Sequence, residues 1–425
     1  MFKEITVRDL AKIIRARHKI QSRELVRGVS IDTRTLRPGD VFFALPGEQT
    51  DGHRYIAAAI RRGACACVVQ RSTNGSAGIL VENTLFALGE LGRHYRSRFA
   101  PIVIGITGTS GKTTVKNILH RLLAVRYRVR SAAKNYNSLI GLPLSLFAWT
   151  GEEEVGILEM GTSGPGEIAR LCAIARPKIG VITMIGPGHL QGLASIAGVR
   201  AEKAALLQAL PADGFSVTGD GIGPVDRPNR IAFSMSDAQE ITMDEYGSRF
   251  RFRNRFFTTR LLGPGNVYNC LAALTVALEL GVPDQAAADV LTEIGPEPGR
   301  FEPIRRRRIL VINDAYNANP VSMQSALEFI ARLERRAVYV LGDMRELGPE
   351  SSAYHRSIGE TARRCGGLLL TMGDEARSYG GRHFTDRHRL VEHLLEGLGG
   401  DEVILVKASH ALGFDRIVDD LLGRL

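Results

Sequence analysis

The stretch Val103-Ile104-Gly105-Ile106-Thr107-Gly108-Thr109-Ser110-Gly111-Lys112-Thr113-Thr114 decides how this chain is read. A buried, β-branched strand runs into a glycine turn, and from Val115 to Leu123 apolar residues then recur at helical spacing. Strand, glycine loop and helix in that order make a phosphate cradle. Gly108, Thr109, Ser110, Gly111 and Thr114 let backbone N–H groups face a triphosphate, the Lys112 ammonium meets its outer phosphates, and Thr113 offers a hydroxyl to Mg²⁺. The helix N-terminus adds a partial positive charge at the same place. The spacing departs from G-x-x-x-x-G-K-T because Ile106 stands where the first glycine would be, so a plain glycine turn is the alternative.

Outward from this motif the chain divides into three compositional units. From 100 to 300, strands such as 102–106, 155–160 and 180–185 alternate with helical segments, which predicts a mainly parallel sheet covered by helices. From 301 to 425, strands at 309–312, 337–341, 368–372 and 403–406 separated by helices predict a doubly wound, Rossmann-like domain. From 1 to 99 lies a small mixed α/β unit with a turn-rich centre, Asp32-Thr33-Arg34-Thr35-Leu36-Arg37-Pro38-Gly39-Asp40, and a strand at 41–45. The expected fold class is therefore α/β in three domains, with ligands beyond the carboxyl ends of the strands.

Composition narrows the partners. The 425 residues are 44% hydrophobic and 24% charged, and no apolar run approaches the ~18 residues that cross a bilayer, so no membrane span is expected. The start, Met1-Phe2-Lys3-Glu4-Ile5-Thr6, has an early acid and no apolar core of a signal peptide, which reads as a cytoplasmic protein. Cys65, Cys67, Cys172, Cys270 and Cys365 are scattered and suggest neither a disulfide framework nor a metal cluster. The net charge of +10 admits nucleic acid, a membrane surface or an anionic metabolite. Its densest run, Arg305 to Arg308, lacks the interleaved aromatics that stack bases and reads as a solvated strand edge; small-molecule substrates are expected and nucleic acid is not.

The remaining polar motifs fall at strand ends. Glu159 closes an apolar strand and is the expected second protein ligand of a nucleotide-bound Mg²⁺, with a capping or surface glutamate as the alternative. His189 follows Ile185-Gly186-Pro187-Gly188, and Lys203 lies fourteen residues on in a helical segment; alone each is a structural or solvated side chain. Asn266 and Asn269, in Gly263-Pro264-Gly265-Asn266-Val267-Tyr268-Asn269, suit a base edge or a helix cap. Arg300 sits on the turn between the second and third units, where a phosphate contact forms on domain closure. Asp314 ends a strand and enters Ala315-Tyr316-Asn317-Ala318-Asn319-Pro320, and Leu341-Gly342-Asp343-Met344-Arg345-Glu346-Leu347-Gly348 ends the next strand in the same way.

With these motifs in hand the chain resembles the ATP-dependent Mur ligases over nearly its whole length. The carriers are Asp32-Thr33-Arg34 with Pro38-Gly39-Asp40-Val41-Phe42-Phe43-Ala44-Leu45, Asp51-Gly52-His53, the glycine loop, Asn135-Tyr136-Asn137-Ser138 with Ile140-Gly141-Leu142-Pro143, Glu159-Met160-Gly161, Gly186 to Leu190, and Asp314 to Pro320. The last of these and the string from Leu341 to Gly348 resemble the dipeptide-adding branch. The resemblance implies transfer of the ATP γ-phosphate to a carboxylate and attack of an amine on the acyl phosphate. The implied product joins D-alanyl-D-alanine to a UDP-N-acetylmuramoyl tripeptide in peptidoglycan precursor synthesis.

By the same resemblance Lys112 neutralises the moving phosphoryl group, and Thr113 with Glu159 holds one Mg²⁺. His189 and a carbamylated Lys203 assist a second, and Asn137 and Ser138 lie near the acyl phosphate. Asn266, Asn269, Arg300 and Asp314 bind the nucleotide; Thr33 and Arg34 meet the uridine diphosphate end of the substrate in the 1–99 unit. Asn317 and Asn319 are expected to contact substrate, and a monomer is expected. Departures fall at Gly265, where the family usually has histidine, at Ala205, where it has glutamate, and at Lys407-Ala408-Ser409-His410, where it has Lys-Gly-Ser-Arg. The alternative they raise is a homologue applying the same chemistry to another carboxylate, such as a tetrapyrrole or cofactor precursor.

Overall fold

The computed structural model of the protein describes residues 5–47, 50–71, 78–99, 101–132, 136–225 and 228–425; Met1 to Glu4 and Asn135 of the motifs above lie outside them. Four parallel strands, β1 (Gly28–Ser30), β2 (Asp40–Phe43), β3 (Ala66–Val69) and β4 (Gly78–Leu80), make the first sheet in that order. β2 and β3 are buried along their whole length, so both read as unbroken apolar runs. The helix Thr84–Arg96 ties this layer to the next: the Tyr95 hydroxyl donates to the Trp149 carbonyl at 2.8 Å, and Arg96 Nε donates to the Ala175 carbonyl at 2.9 Å.

The central sheet contains β5 (Ile102–Thr107), β6 (Val129–Ser131), β7 (Val155–Glu159), β8 (Ile179–Ile182), β9 (Phe215–Thr218) and β10 (Arg230–Ala232). Their order is β10-β9-β8-β5-β7-β6, all parallel. Strand order reverses beside β5, so the crevice at its carboxyl end opens where the glycine loop begins. Helices Lys112–Leu123 and Pro264–Glu279 cover one face of this sheet.

A three-stranded antiparallel sheet, β11 (Ala238–Met243), β12 (Ser248–Phe252) and β13 (Arg255–Thr259), departs from the expectation of a purely strand–helix alternation up to 300. Its cause is the period-two pattern Arg249-Phe250-Arg251-Phe252: Phe250 and Phe252 are buried while Arg249 faces out.

The last sheet is β14 (Glu302–Arg306), β15 (Ile309–Asp314), β16 (Arg336–Leu341), β17 (Leu368–Met372), β18 (Arg382–Phe384) and β19 (Glu402–Lys407), in the order β14-β15-β19-β16-β17-β18. All its pairs are parallel except β14 with β15. The doubly wound expectation holds, with one antiparallel edge strand added. Arg305 to Arg308 occupy that edge hairpin and are exposed, as a solvated edge requires. Among the described residues no helix is long and apolar enough to cross a membrane.

Candidate active site

Gly111 takes φ +84° immediately before the helix Lys112–Leu123, a left-handed conformation that favours glycine, and a Cβ there would stand 2.2 Å from Asn269 Oδ1. A Cβ on Gly108 would stand 1.9 Å from Thr183 Oγ1. The loop is fixed from the neighbouring strand: Thr183 Oγ1 donates to the Ser110 carbonyl at 2.5 Å, and the Thr109 hydroxyl donates to the Gly186 carbonyl and accepts from Gly186 N, both at 3.1 Å. No side chain caps the helix, so its first N–H groups stay available to an anion. Lys112 Nζ donates to the Gly108 carbonyl at 2.8 Å. Burial pushes the Lys112 ammonium down, aided by Arg300 and opposed by Glu159 and Glu346.

At the end of β7, Glu159 is buried, so it is neither a surface nor a capping residue. Its carboxylate accepts from Thr113 Oγ1 at 3.0 Å and pairs with the buried ammonium of Lys116 at 3.1 Å. Lys203, on the helix Ile196–Gln208, is fully buried, and its Nζ has no hydrogen-bond partner. Burial, together with the charge of Lys112, pushes the Lys203 amine down to about 7. A buried amine held near 7 exposes its lone pair in the deprotonated form, which suits carbamylation, because a charged ammonium can neither attack CO₂ nor ligate a cation. Among the described residues no cluster of three or more His, Cys, Asp and Glu side chains forms a ready metal cage. The hard oxygens of Glu159 and Thr113 fit Mg²⁺, which takes its other ligands from phosphates and water.

Residues from the last sheet face this loop. Arg300 Nη2 donates to Thr113 Oγ1 at 3.0 Å, and its guanidinium stacks 3.8 Å from the Tyr316 ring, which stacks in turn on His410. Asp314, ending β15, accepts from Phe301 N at 3.0 Å and pairs with Lys407 Nζ at 2.5 Å. Lys407 Nζ also donates to the Asn317 carbonyl at 2.9 Å. The loop after β16 brings Glu346 onto His189, and the His189 hydrogen bond holds the Glu346 carboxyl below its usual range. The buried ring of His355 fixes this loop by accepting from Met344 N at 3.0 Å.

A cleft of about 540 Å³ gathers most of the expected residues: the glycine loop from Thr109 to Thr114, Asn137, Ser138, Glu159, His189, Asn266, Asn269, Arg300, Asp314, Asn317 and Asn319. Lys203 does not line it, but is buried close enough to feel the charge of Lys112, which does. Neither asparagine of the 264–279 helix caps it: Asn266 Nδ2 donates to the Leu262 carbonyl and Asn269 Nδ2 to Asn266 Oδ1. Beyond Asn266 and Arg300 a second cavity of about 260 Å³ is lined by Asn117, His120 and Pro296. Asn319 caps the helix Pro320–Ile330 through Oδ1, and Ser138 Oγ accepts from Gly141 N, so both have local duties that their motifs do not reveal. Thr33 and Arg34 are not brought to the cleft; the Arg34 guanidinium is exposed and bound to Asp32. His53 accepts from Gln70 N at 3.0 Å and pairs with Asp51, a structural duty.

Of the departures, Gly265 leaves open cleft, since a Cβ there would meet only Ser325 Oγ at 3.7 Å. His410 completes the Arg300–Tyr316 stack. Sequence reasoning missed Lys116, Tyr316, Glu346, Glu202 and Lys407. Of these, Tyr316, Glu346 and Lys407 lay in quoted motifs at strand ends, the one signal that pointed to them.

Three family models match in order: "Mur ligase family, catalytic domain" over 25–96, "Mur ligase middle domain" over 106–277, and "Mur ligase, glutamate ligase domain" over 299–410. The UDP-N-acetylmuramoyl-tripeptide–D-alanyl-D-alanine ligase of Bacillus subtilis is 32% identical over 98% of both chains, and that of Escherichia coli 32% identical over 92% of both. Among solved structures, MurF from Acinetobacter baumannii superposes with a TM-score of 0.91 at 25% identity, covering 98% of both chains. MurF from Thermotoga maritima in complex with ADP gives 0.85 at 29%, covering 93% of this chain and 97% of that one. With its four successive sheets, its glycine loop and these whole-length similarities, the chain belongs to the Mur ligase family.

Proposed function

We propose that the protein is an ATP-dependent amide ligase that joins D-alanyl-D-alanine to a UDP-N-acetylmuramoyl tripeptide through an acyl phosphate. The observation that carries this reading is the cleft in which the glycine loop, Glu159 and Arg300 meet, with the buried, unpartnered amine of Lys203 under the influence of Lys112 in that loop. The whole-length likeness to dipeptide-adding ligases supports it over a tetrapyrrole or cofactor-precursor carboxylate.

In this reading residues 1–99 take the UDP end of the substrate at Thr33 and Arg34, 100–300 bind ATP, and 301–425 bring the amine. The uncapped helix N-terminus and Lys112 hold the β- and γ-phosphates, and Arg300 adds a second cation as the parts close. Asp314 takes ribose hydroxyls, and Asn266 and Asn269 lead the base toward the smaller cavity. Thr113 and Glu159 would hold one Mg²⁺, and His189 with carbamylated Lys203 another; when bound, Mg²⁺ neutralises phosphate charge. The carbamate forms as CO₂ adds to the neutral Lys203 Nζ, making an N–C bond and releasing a proton to solvent. Asn137 and Ser138 face the acyl group, and Asn317 and Asn319 border the space left for the incoming amine. The substrate carboxylate attacks the γ-phosphorus and ADP leaves; the amine then attacks the acyl carbon and phosphate leaves. Closure keeps water from the acyl phosphate.

The test is phosphate release with ATP and Mg²⁺, supplying the UDP-muramoyl tripeptide and the dipeptide singly and together, with product mass recorded. Release with both, and the condensed mass, is expected; no release with the pair would sink the reading.

A further inference from the structure

We infer that Glu202 is a positioning residue for this reaction: its carboxylate ties the loop that follows Glu159 to the helix that carries Lys203. Glu202 is buried, and it stands next to Lys203 on the helix Ile196–Gln208. One of its oxygens accepts from Gly166 N at 2.6 Å; the other accepts from Ile168 N at 2.7 Å and Thr162 Oγ1 at 3.4 Å. The helix Glu167–Ala175 that begins there has no cap from its own N-cap residue, Gly166, so a carboxylate from another helix satisfies its first N–H groups.

The loop held in this way is the common neighbour of the residues on the metal side of the cleft. It leaves β7 directly after Glu159, and its Gly161, Thr162 and Ser163 form cleft wall. Gly161 N donates to the Asn137 carbonyl at 2.8 Å. On its other side the His189 segment packs so closely that a Cβ on Gly192 would stand 1.7 Å from the Ser163 carbonyl oxygen. Glu159, His189 and Lys203 come from three separate elements; the 161–166 loop follows the first, packs against the segment after the second and is hydrogen-bonded through Glu202 to the helix of the third. Glu202 is the side chain that joins it to the lysine helix, so its loss shifts the lysine relative to the glutamate without removing either.

This inference rests on the ligase reading and is tested on the full chain with Glu202→Gln and Glu202→Asp. Glutamine keeps the shape but turns an N–H₂ toward one backbone N–H; aspartate keeps the charge but falls short of the full set of donors. We expect Glu202→Gln to lose about tenfold in kcat, with KM for ATP within about twofold of wild type and a several-fold rise in the Mg²⁺ needed for half-maximal rate. Glu202→Asp should fall between, and calorimetry should show ATP binding weakened in both at limiting Mg²⁺ and within about twofold of wild type at saturating Mg²⁺. A lowered Tm with kcat per folded molecule and Mg²⁺ dependence unchanged would overturn the inference and leave Glu202 a helix cap. Should Glu202→Gln fail to fold, Glu202→Asp gives the same readouts. Wild type without turnover on the two substrates would count against the ligase reading alone, because Mg²⁺-dependent ATP binding still reads Glu202.

Discussion

Arg300 and Thr113 lie 187 residues apart in the chain, yet Arg300 Nη2 donates to Thr113 Oγ1 at 3.0 Å while the same hydroxyl donates to Glu159. The hydroxyl expected on Mg²⁺ is thereby shared between an arginine at the domain junction and the carboxylate expected on the same ion. On the proposed function, nucleotide and cation entry would rearrange both bonds and so link domain closure to phosphate binding.

Arg300→Lys should therefore be far from conservative. Lysine lacks the planar group that stacks at 3.8 Å on Tyr316, and it cannot hold that stack while reaching Thr113. Initial rates at varied ATP should show KM raised by about tenfold; an unchanged KM would remove Arg300 from nucleotide binding.

Lys203→Ala should lose at least about a hundredfold in turnover and regain part of it with added formate or acetate, which supply the missing carboxylate oxygens. The buried Lys203 Nζ, without a hydrogen-bond partner, motivates this. Undiminished turnover would discard the carbamate.

Lys407→Met should cost about 3 kcal/mol of unfolding free energy, because it leaves the Asp314 carboxylate without its charge partner in a nearly buried pair. Urea denaturation checks this. The double variant with Asp314→Asn should recover part of the loss, since the pair is removed as a unit.

His355 predicts the response to acid. Its Nε2 accepts from Met344 N, so the ring is neutral with the proton on Nδ1, which donates to the Ser351 carbonyl at 2.8 Å. Burial holds its pKa below the ordinary value of 6.5. As pH falls below that value the unfolded chain binds the proton before the folded one does, so this contribution to stability is present above pH 6.5 and is lost on acidification. Melting curves between neutral and acidic pH should fall less steeply for His355→Asn than for wild type.

The glycine loop ahead of its helix, the strand-end places of Glu159 and Asp314, and the succession of strand–helix units were legible because each follows from local pattern: an apolar strand, its end, and the polar residue placed there. The antiparallel sheet was legible in principle, since Arg249-Phe250-Arg251-Phe252 has period two, but it sits between stronger strand–helix signals. The partners of Glu202 and Glu346 were not legible, although the string holding Glu346 was marked by its strand end. Their roles depend on which loop from another element packs against them, and no spacing encodes that. Asn319 carries a duty the string does not reveal: it lines the cleft, and its Oδ1 also accepts from Ser322 N as a helix cap.

The most direct test of the central claim is isotope transfer. With ¹⁸O in the terminal carboxylate of the UDP-muramoyl tripeptide, and ATP, Mg²⁺ and D-alanyl-D-alanine present, an acyl phosphate puts one labelled oxygen into the released phosphate, which mass spectrometry reads. One ¹⁸O per phosphate, matched to amide product, is the expected result; unlabelled phosphate would mean that water took the γ-phosphoryl group and would contradict the account.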